Sequence, residues 1–280
     1  PLGTGLRHFA ALYPSRFFDV GICEQHALAL AAGLAKGGMR PFVAIYSTFL
    51  QRGLDQVFHD ICLQGLPVVI LEDRAGLTGE DGEAHQGIYD LGFLRGMPNL
   101  SIMAPRDIPT LKYMMELALK SSSPSLIRYP KGCNIKISVN QPLEPYRWQY
   151  IYKSDAEITL IAFGAMLHQT VKAYEILISQ GIRADVIDAC FLKPIDAGLL
   201  SELSAKSCLL VIEDNVCAGG LFEGVSGYME GLGGKTAVYG MNLSDSVVPH
   251  ATVGQQQRLF HITAQDIALR AADILNNIAK

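Results

Sequence analysis

Charge is what this sequence has least of: Asp, Glu, Lys and Arg make up 18% of 280 residues, while 49% are hydrophobic. An average soluble domain is about one quarter charged, so this chain carries more apolar surface than one modest core needs. Faces buried against partners are therefore expected. Positive charge is not in excess either. With 23 Lys and Arg against 27 Asp and Glu, the formal net charge is -4, which argues against a nucleic acid or an anionic membrane as the main partner. A local basic pocket stays open. The six cysteines (Cys23, Cys62, Cys133, Cys190, Cys208, Cys217) show no CxxC and no paired-His spacing, so neither a zinc site nor a disulfide framework is signalled and a reducing cytosol fits. No signal-peptide pattern opens the chain. The apolar runs Ala27 to Ala35 and Leu66 to Leu71 fall far short of the roughly 20 residues of a membrane helix, and the reading is a soluble, cytoplasmic chain. No repeat of 20 to 50 residues and no low-complexity tract is present.

The length, about twice the usual domain size, suggests two domains, and the patterning agrees. Residues 24–36 read as a helix, 40–46 as a strand, 51–64 as a helix with Leu54, Val57, Phe58, Ile61 and Cys62 on one stripe, and 66–71 as a buried strand. A loop, 74–86, follows. Residues 99–104 then read as a strand and 108–120 as a helix ending in Ser121-Ser122-Ser123-Pro124. Periodicity fades after Pro130 and restarts with a strand at 158–163, a helix at 167–180, and strands at 184–189 and 208–212. Strands alternating with helices predict an α/β fold, each domain a mostly parallel sheet with helices on both faces. The expected division is 1–140, a linker at 141–156, and 157–280. Because the chain opens on Pro1 in what reads as mid-domain sequence, it is expected to be a piece of something longer.

Four segments could carry chemistry. In Gly21-Ile22-Cys23-Glu24-Gln25-His26-Ala27, Glu24 opens a helix among apolar neighbours; a carboxylate desolvated there is suited to exchange a proton with a heterocycle nitrogen. It could equally be a helix-terminal Glu satisfied by backbone N–H groups. Cys23 with His26 is a weak alternative as a thiol nucleophile. Tyr46, Phe49 and Arg52 fall where a strand ends and a helix begins, a place where open sheets hold ligands; an aromatic can face a flat ring and an Arg can grip a carboxylate or phosphate. A packed Phe49 and a surface ion pair for Arg52 are the plain alternative. The loop 73–87 holds four Gly and an acidic cluster, with Arg74, Asp81 and His85 among them. It is long for a mere connection, and it misses the EF-hand spacing. Arg128 and Lys131 in Arg-Tyr-Pro-Lys-Gly could neutralise a phosphate or open a solvated linker. In the second half, Glu213-Asp214-Asn215 before Gly219-Gly220 matches no phosphate fingerprint and reads as packing, and His250 reads as exposed.

Taken together, DVGICEQHA, YSTFLQRGLDQ, the DRAG to EDGEAHQG loop and RYPKG resemble the 1-deoxy-D-xylulose-5-phosphate synthases, transketolase-like enzymes that depend on thiamine diphosphate. The resemblance runs over nearly the whole chain. It implies a pyrimidine-binding transketolase-like domain and a transketolase C-terminal domain, without the N-terminal domain that grips the diphosphate through Mg²⁺; the family's metal motif is absent, and Glu80-Asp81-Gly82-Glu83 is not it. It implies a homodimeric transferase joining pyruvate to glyceraldehyde 3-phosphate at the head of the non-mevalonate isoprenoid pathway, this chain being inactive without its N-terminal domain. In that family Glu24 would hydrogen-bond the aminopyrimidine and Phe49 would pack on it. Tyr46, Arg52, Arg74 and Lys131 would bind the acceptor, and Asp81 and His85 would place the reacting groups and shuttle protons. Lys131 stands where the family usually has Arg, keeping the charge but losing the bidentate fork. Cys23 and Ala84 stand for what are commonly Ala and Thr. Two alternatives are an inactive dimerisation or binding fragment, and a transketolase-type subunit using another aldehyde.

Overall fold

The computed structural model describes residues 3–132, 136–137, 139, 141–233 and 236–278. Its strands are β1 (Phe42–Tyr46), β2 (Val69–Asp73), β3 (Ser101–Met103), β4 (Ser125–Tyr129), β5 (Gln149–Tyr152), β6 (Ile158–Ala162), β7 (Asp185–Asp188), β8 (Phe191–Lys193), β9 (Cys208–Val216) and β10 (Ala237–Leu243). They form two five-stranded sheets, ordered β1-β2-β4-β3-β8 and β10-β9-β6-β7-β5. Pairing is parallel except where β8 and β5 close their sheets antiparallel. Strands covered on both faces read as unbroken apolar runs; β6 is buried along its whole length. Among the described residues, no helix is long and apolar enough to cross a membrane.

Helices form where the pattern is locally complete. In Glu24–Lys36 the residues Glu24, Leu28, Ala31, Ala32 and Ala35 are buried on one stripe, and the helix ends at Gly37. Ile108–Lys120 opens with Asp107 accepting from Thr110 N, has Pro in its first turn and closes on Lys120. The single helix expected over 51–64 is instead a tight turn Gln51–Gly53, one α-turn Leu54–Gln56 and a π-helical stretch Val57–Cys62. The altered winding buries Val57, Ile61 and Cys62 but leaves Phe58 exposed, so the expected stripe is narrower.

Two details depart from the expected division at 141–156. That stretch contributes β5 to the second sheet and buries Trp148, whose indole N–H donates to Phe191 O at 2.7 Å. β8, far along the second half, closes the first sheet. The strands of the second sheet show why the halves are joined. Ile161, Ile187, Leu209 and Val211 share a core with Ile70 and Leu126 of the first sheet. Their alternate neighbours Leu160, Val186, Leu210 and Ile212 pack with Ile267 and Ala271 of the helix Ala264–Ile278, the two-residue period sorting them to opposite faces.

Candidate active site

Glu24 is the first residue of its helix and is only 8% exposed. The expected apolar shield from Ile22 is absent, for Ile22 is 84% exposed. Burial comes instead from the turn Gln51–Gly53 that follows Phe49. A Cβ on Gly53 would lie 2.2 Å from Leu28 Cδ1 and 3.7 Å from Glu24 O, so the turn packs closely on the first turns of the helix. Arg52 Nη1 then stands 3.9 Å from Glu24 Oε1, with the Arg side chain mostly in solvent.

Tyr46 ends β1 and Phe49 lies one turn beyond it, which brings their rings to 5.3 Å at 22°. Arg74 Cζ lies 4.1 Å from the Tyr46 ring centre. His85 meets Phe49 edge-on at 5.6 Å and 73°. Arg74, Tyr46, Phe49 and His85 are thus one continuous stack from two strand ends. Asp81 joins a third, because its carboxylate pairs with Arg74 and accepts from Lys131 Nζ at 2.6 Å, beyond the end of β4. Burial alone would raise the Asp81 carboxyl, but the Lys131 hydrogen bond and the Arg74 charge outweigh it and hold it below the ordinary carboxylate range.

The loop bearing these groups is folded tightly. Gly76 and Gly87 close its base with reciprocal bonds of 2.6 and 2.9 Å. Gln86 fills its middle: Oε1 accepts from Thr78 N at 2.9 Å, and Nε2 donates to Gly79 O at 3.2 Å and Gly82 O at 3.0 Å. Arg74 itself has φ 61°, a left-handed conformation that costs a non-glycine residue and recurs at ligand-binding sites.

Below the loop lies a buried charged cluster. Arg128 donates to Asp90 through Nε at 2.7 Å and Nη2 at 3.2 Å. It is therefore no free phosphate ligand, which corrects the paired reading with Lys131; only Lys131 keeps an open side chain. Glu72 is fully buried, with Ser47 and Asp90 beside its carboxyl group. Burial, followed by the Asp90 charge, pushes its carboxyl well up, favouring the neutral acid. Asp214 reaches in from β9, accepting from Leu77 N at 3.3 Å. Glu213 points the other way, capping the helix Leu221–Gly231 by accepting from Leu221 N at 2.7 Å and Phe222 N at 3.1 Å. Burial pushes it up to about 7 against those bonds.

The structure thus groups Tyr46, Phe49, Arg74, Asp81, His85 and Lys131 by direct contact, and pairs Glu24 with Arg52. Cys23 is exposed and His250 also faces solvent. Sequence reasoning missed Glu72, Gln86, Asp90 and the loop contact of Asp214, whose roles depend on neighbours distant in the chain. Among the described residues no group of three His, Cys, Asp or Glu is gathered to hold a metal ion.

A carboxylate-headed helix beside an aromatic stack, on parallel sheets paired through a shared core, is an arrangement suited to hold a flat heterocycle. The transketolase pyrimidine binding domain matches residues 2–134 and the transketolase C-terminal domain matches residues 148–267; the chain belongs to the transketolase family. Within it, the chain is 44% identical to a 1-deoxy-D-xylulose-5-phosphate synthase of Carboxydothermus hydrogenoformans over 99% of its own length and 45% of that protein's. A synthase of the same name from Clostridium kluyveri is 43% identical over 95% of this chain and 43% of its own length. The chain thus spans less than half the length of these curated relatives. Among solved structures, a split-gene transketolase described as an inactive β4 tetramer superposes with TM-score 0.87 at 29% identity, covering 96% of this chain and 87% of that one. A transketolase from Campylobacter jejuni shares the fold, with TM-score 0.76 at 19% identity over 91% of this chain and 39% of its own.

Proposed function

We propose that this chain is the pyrimidine-binding and C-terminal part of a 1-deoxy-D-xylulose-5-phosphate synthase, a homodimeric cytoplasmic transferase. Pyruvate would be the two-carbon donor and glyceraldehyde 3-phosphate the acceptor, in the first step of the non-mevalonate isoprenoid pathway. The observation that carries this reading is the Arg74, Tyr46, Phe49, His85 stack with Asp81 bridging Arg74 and Lys131. It gathers cations for a phosphate, a face for a ring and two titratable groups. The residues fit the pyrimidine half of thiamine diphosphate. Glu24 offers a nearly buried carboxylate whose nearest cation among the described residues, at 3.9 Å, lies beyond hydrogen-bond range, and Phe49 offers the ring face. Mg²⁺ and the diphosphate are assigned to an N-terminal domain like that of the full-length relatives.

When bound, thiamine diphosphate supplies the electron sink for decarboxylating a 2-oxo acid and passing on the remaining two carbons. The Glu24 carboxylate holds the proton it shares with the pyrimidine nitrogen. Arg52, Arg74 and Lys131 bind the acceptor phosphate, with Tyr46 beside them. Asp81 fixes Arg74 and Lys131, and His85 moves a proton to and from the acceptor oxygen. A partner surface is supported by Phe9, Leu12, Tyr13, Phe18 and Ile22, all exposed in the segment leading to Glu24.

The test joins this chain to a family N-terminal domain and supplies thiamine diphosphate, Mg²⁺, pyruvate and glyceraldehyde 3-phosphate. Cofactor-dependent 1-deoxy-D-xylulose 5-phosphate is expected. No product, or equal use of unphosphorylated aldehydes, would instead favour a transketolase-type subunit with another acceptor. A second reading, an inactive binding fragment, is favoured by the split-gene neighbour, whose chain is of nearly the same extent and is described as inactive. Native mass spectrometry of the chain alone and with that domain separates the two.

A further inference from the structure

The turn Gly79–Asp81 that presents Asp81 is gripped from outside its own domain. Gln256, in the helix Val253–Leu259, is wholly buried. Its Oε1 accepts from Gly79 N at 3.1 Å, and its Nε2 donates to Pro249 O at 2.9 Å and Gly79 O at 3.4 Å. From within the loop, Gln86 Nε2 donates to the same Gly79 O at 3.2 Å. Gly79 therefore sits between two buried amides, one from each domain. Its backbone is left-handed at φ +70°, and a Cβ there would lie 3.1 Å from Val253 Cγ2 and from Val253 N, so the helix lies directly against it. That helix is fixed at its start by Thr252 and Gln255, which form a capping box.

A glycine-rich loop has many conformations to lose, and its own Gly76 to Gly87 bridge closes only the base. Asp81 lies two residues beyond Gly79 and holds both Arg74 and Lys131. We propose that Gln256 is a positioning residue of the C-terminal domain, fixing Gly79 so that Asp81 keeps Arg74 and Lys131 aimed at the acceptor. The proposal rests on reading this loop as the acceptor site.

Hydrogen exchange of the 280-residue chain tests the clamp without any turnover. In the wild type, the buried Gly79 N–H should be protected while the N–H of Ala84, an exposed residue of the same loop, exchanges freely; equal exchange overturns the clamp with no variant needed. Gln256→Met keeps the buried volume and removes the polar atoms. Amides 77–86 should then exchange about tenfold faster. Gln257→Met, in the same helix as Gln256, loses only the 2.9 Å bond it accepts from Gln169 of the helix Met166–Ser179 and should leave them unchanged. Equal loosening by both variants, or none in Gln256→Met, overturns the proposal. In the chain joined to its N-terminal domain and loaded with cofactor, Gln256→Met should raise KM for glyceraldehyde 3-phosphate about tenfold, with kcat and the pyruvate KM nearly unchanged. A fall in kcat alone overturns the positioning role. If the wild type shows no turnover, the functional reading fails, and the exchange result still decides the clamp.

Discussion

The carboxyl edges of the two sheets are built alike and used differently. From the first sheet, the ends of β1, β2 and β4 lead to Tyr46 and Phe49, to the loop with Arg74, Asp81 and His85, and to Lys131, side chains that touch one another at a partly open surface. From the second, the ends of β6, β7 and β9 abut the first domain. Phe163 lies under Arg128 at 5.3 Å, Asp188 pairs with Arg106 at 2.6 Å, and Asp214 accepts from Leu77 N. One edge presents chemistry and the other supports it. Electrostatics divides in the same way: cations hold Asp81 down, whereas burial pushes Asp188 up to about 6 and Glu213 to about 7.

If that division is right, the largest effect comes from Glu24→Gln. Turnover of the reconstituted holoenzyme should fall about a thousandfold with melting temperature unchanged; retained turnover would remove Glu24 from the chemistry. Arg128→Met strikes the supporting cluster, leaving Asp90 without its buried partner. Denaturant unfolding should show a loss of about 3–5 kcal/mol, and a loss below about 1 kcal/mol would mean the cluster supports little. Lys131→Ala, at the open edge, should cost under about 1 kcal/mol in the same assay while raising the acceptor KM about tenfold. A large stability loss there would erase the contrast.

The smallest effect is in pH dependence. Because Glu213 is raised in the folded state, its contribution is fully present below its ordinary value of 4.5 and is lost as pH rises through about 7. Asp81 runs oppositely: its contribution is present above its ordinary 3.8 and is lost only as pH falls through its lowered value. Unfolding measured from pH 5 to 7 should therefore show stability declining in the wild type and a flatter slope in Glu213→Gln. Parallel slopes would contradict the assignment.

Much of this was legible because it is local. The helix Glu24–Lys36 carries its own stripe and Gly stop, Ile108–Lys120 its own cap, and the motif-bearing segments announced Phe49, Asp81 and His85 as neighbours of strand ends. What was not legible turned on distant partners. Arg128 looked like a companion of Lys131 until Asp90 was found beside it, and β8 is three residues whose pairing lies with β3, remote in sequence. Gln256 has no local signal at all, since its partner Gly79 is 177 residues away.

The sequence by itself determined two α/β halves, the family resemblance and the residue types able to hold a flat ring and a phosphate, because periodicity, caps and motif order are properties of short stretches. Only the tertiary structure decided which cation stays open, that Glu24 is buried while Ile22 beside it is exposed, and that the second domain grips the reactive loop. Those outcomes depend on burial and on hydrogen bonds between segments far apart in the chain, which no short stretch specifies.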